Sequence, residues 1–253
     1  VFKTLILGAS NMFFTEAGED ASAPALLRDY LRRAAPNSGH EVAAAAVHYG
    51  ERMAEFAERA VRKEDPNAIV LLAGTNNFEQ DYVVYAIRRR WPRLYPYAVK
   101  LADRLNKVSG ASMDGGAGLR GELFRVPKRL GLVLVGGDPL FTMAQGFEWL
   151  RATVDAVVSC GEDRPVAVVL HPTSHEKPPH SAPKRVRAYS RLVEDYCRSK
   201  HITYMSRLDY CAAMGVRPRP AKGANYSDRA TRDADAAAIG NFVLEASAVA
   251  DRA

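Results

Sequence analysis

Ser10 lies three residues past a short apolar run, Phe2–Leu7, in the segment Leu7-Gly8-Ala9-Ser10-Asn11. A neutral hydroxyl is a poor nucleophile. To attack a carbonyl it needs a base to take its proton and donors for the oxyanion that forms. Two other segments supply donor candidates in the same setting, each just after an apolar run. Val47-His48-Tyr49-Gly50 offers the unobstructed backbone N–H of Gly50. Gly74-Thr75-Asn76-Asn77 offers the side-chain amide of Asn76. Each segment also has a plain local explanation, since Ser serves as a turn residue or helix cap and Asn-Asn as a turn. What favours chemistry is the combination of one hydroxyl and its donors converging on one place.

The elements that would bring them together are legible. Short runs rich in β-branched residues occur at Phe2–Leu7, Val42–Val47, Ala68–Leu72, Pro165–Leu170 and Ile202–Tyr204. Such nearly unbroken runs read as strands of a parallel sheet buried on both faces. Helical patterns fall between and after them, at Ala23–Ala35, Arg52–Arg62, Phe147–Val158, Lys184–Cys197 and Asp235–Ala250. The alternation predicts one α/β domain over residues 1–253, a three-layer, flavodoxin-like doubly wound sheet of about five parallel strands. In such sheets ligands bind beyond the carboxyl ends of the strands, where Ser10, Gly50 and Asn76 fall.

These three segments resemble the SGNH (GDSL-like) hydrolase and acyltransferase superfamily. Ser10, Gly50 and Asn76 match its nucleophile and two oxyanion-hole residues in order and context. The resemblance covers roughly residues 1–78 and 144–250. It implies a serine enzyme that hydrolyses or transfers an acyl ester or thioester through an acyl-enzyme on Ser10. Ala9 and Asn77 stand where the family carries Asp. The larger departure is near the end, where the family has Asp-x-x-His with the His as general base. Here the region reads Ser227-Asp228-Arg229-Ala230-Thr231. Asp228 sits at the Asp position and Thr231 at the His position. A second register, anchored on Gly240, places Asp235 at the His position and Arg232 at the Asp position. No His follows His201. A base is therefore sought in His171-Pro172-Thr173-Ser174-His175, at the end of the fourth strand, where His171 and His175 are the candidates. His40 and His48 read as strand-flanking residues. The alternative is a repurposed, non-hydrolytic SGNH-fold protein that binds a small ligand.

Residues 78–143 break the rhythm and read as an insertion or lid, part helix. They carry Arg88-Arg89-Arg90-Trp91-Pro92-Arg93 with Tyr95 and Tyr97, then the Gly-rich Gly110–Gly121. Three readings fit the basic aromatic stretch: a solvated helix face with its aromatic residues packed inward, a surface for coenzyme A or an acyl carrier protein, or a nucleic-acid surface. The functional reading expects a small-molecule acyl substrate and neither nucleic acid nor membrane. The net charge of +6 comes with a strong preference for Arg over Lys, which reads as coding bias more than as a binding signal. Cys160, Cys197 and Cys211 have no metal or disulfide spacing, which suits a reducing cytoplasm. No cofactor or metal is expected, and no apolar run reaches membrane-span length.

Overall fold

The computed structural model describes residues 1–8, 22–75, 83–108, 134, 139–161, 163–171, 183–218 and 228–252. The strands are β1 (Phe2–Gly8), β2 (His40–Ala46), β3 (Ala68–Gly74), β4 (Val166–His171) and β5 (Thr203–Ser206). All pairings are parallel and the order is β2-β1-β3-β4-β5. The strand direction of the sheet thus reverses its progression between β1 and β3. That is the topological switch point of a doubly wound sheet.

Alternation along the central strands divides the core. Leu5, Leu7, Ile69, Leu71, Val168 and Leu170 belong to one cluster, whereas Ile6, Val70, Leu72 and Val169 belong to the other. The first face is covered by α2 (Met53–Glu64), α5 (Met143–Ser159) and α6 (Pro183–Ser199); the second is covered by α1 (Ala23–Ala34) and α8 (Arg229–Ala250). The short α7 (Arg207–Ala213) follows β5 directly. Complete burial of a Leu or Ile contributes about 1.5–3 kcal/mol, so these two clusters fix the register of the sheet. The edge strand β2 alternates between exposed and half-buried residues and is not enclosed as the sequence suggested.

Two helices begin earlier than their apolar periodicity indicates, for one reason. Thr142 and Gln145 form a reciprocal capping box that starts α5 at Met143 rather than Phe147. Asp228 caps α8 at Arg229 rather than Asp235, with its Oδ1 accepting from the Thr231 N–H at 2.9 Å. The described part of 78–143 before residue 134 is helical: α3 (Val83–Arg90), a 3-10 turn at Pro92–Leu94 and α4 (Tyr95–Val108). Two of its aromatic residues are not packed inward, whereas Tyr85 and Tyr95 are half-buried. Trp91 is 47% and Tyr97 71% exposed, and Arg88 lies 5.5 Å from the Tyr95 ring centre. The Gly-rich stretch lies outside the described residues.

Helices α1 and α8 approach so closely that a Cβ on Gly240 would collide with the Tyr30 ring, which is itself held by a 2.7 Å bond from Tyr30 Oη to Asn241 Oδ1. Gly240→Ala should gain up to about 1 kcal/mol of helix propensity and lose about 1–3 kcal/mol to overpacking. Net destabilisation is expected. In a Tyr30→Ala background the same change should be neutral or stabilising, as read by urea midpoints.

Candidate functional site

Strand register defines the carboxyl edge. Gly8 is level with Ala46 on one side and Leu72 on the other, Gly74 is level with His171, and Leu170 is level with Ser206. The segments that carry Ser10, Gly50, Asn76 and His175 all leave the sheet from this edge. Ser10, Asn76 and His175 themselves lie outside the described residues. Gly50, His171 and Asp228 are described.

Gly50 lies in the turn between β2 and α2, where its carbonyl accepts from the Met53 N–H at 3.0 Å. A Cβ there would meet no atom of the described residues within 4 Å. Gly50 lines a cleft of about 620 Å³ together with His48, Tyr49, Arg52, Phe56 and Trp149. Tyr49 anchors the turn. Its hydroxyl is 3.2 Å from that of the fully buried Tyr189, and its ring lies tilted against Phe141, which in turn meets Trp149 edge-on. Burial pushes the Tyr49 hydroxyl up to about 12, so it remains a neutral hydrogen-bonding group. His48, set aside as a strand-flanking residue, is exposed in this cleft beside Gly50. His40 is at the other end of β2, away from the carboxyl edge.

His171 ends β4 and is buried. It is part of a polar network that sequence reasoning did not assemble. Arg207, at the start of α7, donates through Nε to Asp235 Oδ1 at 3.0 Å and through Nη2 to Oδ2 at 2.6 Å. The Tyr210 hydroxyl donates to Oδ1 at 2.6 Å. Arg207 Nη2 also lies 2.8 Å from His171 Nδ1. Burial pushes the Asp235 carboxyl above its ordinary value, while Arg207 and Tyr210 pull it back. Burial, reinforced by the Arg207 charge, holds the His171 imidazole well below the ordinary histidine range. Asp235 therefore balances a buried guanidinium, and His171 is neutral at physiological pH.

Asp228, a catalytic candidate from the sequence, serves as the cap of α8 and is bonded to no His among the described residues. Thr231, which the first register put at the family's His position, is fully buried. Asp235, which the second register put at that position, is where the ionic network forms. No group of three or more potential metal ligands occurs among the described residues. Among the same residues, no helix is long and apolar enough to cross a membrane.

No protein-family model and no curated protein matches the chain. Solved structures do. TesA is 13% identical, with a TM-score of 0.54 over 96% of this chain and 99% of that one. A catalytic mutant of Axe2, an acetylxylan esterase from Geobacillus stearothermophilus, is 12% identical, with a TM-score of 0.55 over 96% of this chain and 94% of its own. The chain has an SGNH-like fold. The match extends over nearly the full length and agrees with the five-stranded parallel order seen here. Within this SGNH-like frame, Gly50 follows the second strand.

Proposed function

We propose that the chain is a serine-dependent acyl-ester or thioester hydrolase or acyltransferase, with Ser10 as nucleophile and the Gly50 N–H and Asn76 as oxyanion donors. The observation that carries this reading is the strand order. It places the ends of β1, β2 and β3 side by side, so the three segments bearing these residues leave the sheet from adjacent strands, two of which flank its switch point. That no described residue packs against Gly50 supports it, because an oxyanion donor must be reachable by substrate. Axe2, which shares the fold, is an acetylxylan esterase; this favours an ester as substrate. In this proposal the proton of Ser10 goes to a histidine of the carboxyl edge, His175 or His48.

The test is covalent labelling. A fluorophosphonate probe should label the wild-type protein and leave Ser10→Ala unlabelled. Equal labelling of both, or labelling of neither, would sink the reading.

A specific observation favours the second reading, a ligand-binding protein without acyl chemistry. Thr231, which one of the two registers puts at the family's His position, is fully buried, and Asp228 is engaged as a cap. That reading expects no turnover of p-nitrophenyl acetate at any pH, with a small carboxylate still raising the melting temperature.

A further inference from the structure

Arginine has donors and no acceptor. The 2.8 Å contact between Arg207 Nη2 and His171 Nδ1 can therefore be a hydrogen bond only if Nδ1 is unprotonated. A neutral imidazole with a bare Nδ1 carries its proton on Nε2. His171 is thus fixed as an Nε2–H donor. Its free lone pair is already taken by Arg207, so it has none to offer a serine hydroxyl, and the role of general base that the sequence suggested does not fit this geometry. The clamp is itself clamped: Asp235, from α8, holds Arg207 through two hydrogen bonds, and Tyr210, from α7, holds Asp235.

The other half of the imidazole is unusual. Nε2 is buried and has no hydrogen-bond partner among the described residues. Leaving a buried N–H unpaired is costly, and native proteins rarely keep one without a use. The two ring nitrogens point to opposite sides of the imidazole, so Nε2 is turned away from Arg207. His171 is level with Gly74 and β1 ends level with Leu72, so β4 reaches two residues further toward the carboxyl edge. It stands two strand spacings from β1, roughly 10 Å. A small acyl ligand can span that distance.

We propose that His171 is a ligand-binding donor: the Arg207–Asp235 pair fixes its Nε2–H, and that N–H takes a carbonyl or carboxylate oxygen of the ligand at the carboxyl edge of β4. The proposal deepens the acyl-ligand reading but does not depend on Ser10 being a nucleophile.

Two measurements on ¹⁵N-labelled full-length protein test it, with sodium acetate as the probe. Long-range ¹H–¹⁵N spectra should show His171 neutral with its proton on Nε2 from about pH 5.5 to 8. Acetate, added to about 100 mM to cover millimolar affinity, should move the Nε2 signal in wild type and in Ser10→Ala alike. A proton on Nδ1, or an Nε2 signal unmoved by acetate, would overturn the proposal. His171→Gln can keep both bonds, accepting through its amide oxygen and donating through its amide nitrogen. It should bind acetate within about threefold of wild type, and His171→Phe at least about tenfold more weakly. Equal losses in the two variants would overturn it. If His171→Phe does not fold, the wild-type spectra and His171→Gln still decide. Fluorophosphonate labelling of Ser10 is scored separately, so failure of the nucleophile and failure of the donor are told apart.

Discussion

Asp235→Ala should lower the free energy of unfolding by about 3–5 kcal/mol, because it leaves a guanidinium buried without its counter-charge. The Arg207 side chain is 13% exposed and that of Asp235 8%. Neither water nor a surface ion can replace the lost carboxylate cheaply. The Tyr210 hydroxyl and the His171 Nδ1 bond would be disturbed in the same step, since both converge on this pair. Asp233→Ala is the natural control, two residues away on the same helix. It breaks an exposed pair with Arg229 of similar length, 2.9 Å, and should cost no more than about 0.5 kcal/mol. Urea unfolding with an unchanged slope would show the contrast as a shift in midpoint alone. Similar losses for the two variants would mean that burial is not what gives the Arg207–Asp235 pair its weight.

Acid should destabilise the protein from about pH 6.5 downward, and His171 should account for much of the slope. The imidazole is held well below its ordinary value by burial and by the Arg207 charge. Below pH 6.5 the unfolded chain therefore binds a proton that the folded one refuses, and stability falls with pH. The stability is fully present above the unfolded pKa and is lost toward the folded one. One such group contributes at most about 1.4 kcal/mol per pH unit. His40, also lowered chiefly by burial, acts in the same direction. Asp235 acts in a lower window and with the opposite sign. Its raised carboxyl favours folding below pH 3.8, and that contribution is lost as the pH rises. Denaturation midpoints of wild type and His171→Gln between about pH 5 and 7 separate these terms. Parallel curves would remove His171 from the account.

Most of the framework could be read from residue order because it rests on short-range pattern. Runs such as Ala68–Gly74 have no polar break, and α6 repeats its apolar residues at helical spacing. Helix starts were harder. Thr142 and Asp228 act through local side-chain bonds outside the apolar periodicity, so periodicity alone starts α5 and α8 too late. The buried network was not legible at all. Arg207 is 28 residues from Asp235 and 36 from His171, and only the packing of α7 and α8 over the ends of β4 and β5 brings them together. In the sequence Arg207 looks like one more basic residue at a helix start. His171 illustrates the same limit, since its place at a strand end was readable and its tautomer depends on a partner from another element. Asp228 shows the converse: a carboxylate in a family-like position engaged in a local cap.

The connection between β3 and β4 has a consequence for how this fold can vary. Phe2 pairs with His40, whereas Ile69 pairs with Val166, so the second closure joins residues more than twice as far apart along the chain. The entropy of closing a chain segment grows only as the logarithm of its length, and the difference here is about 0.8 kcal/mol. Exchanging or lengthening residues 78–143 therefore leaves the sheet nearly as easy to close as before. That connection can be remodelled at almost no thermodynamic cost to the strands that position Gly50 and His171.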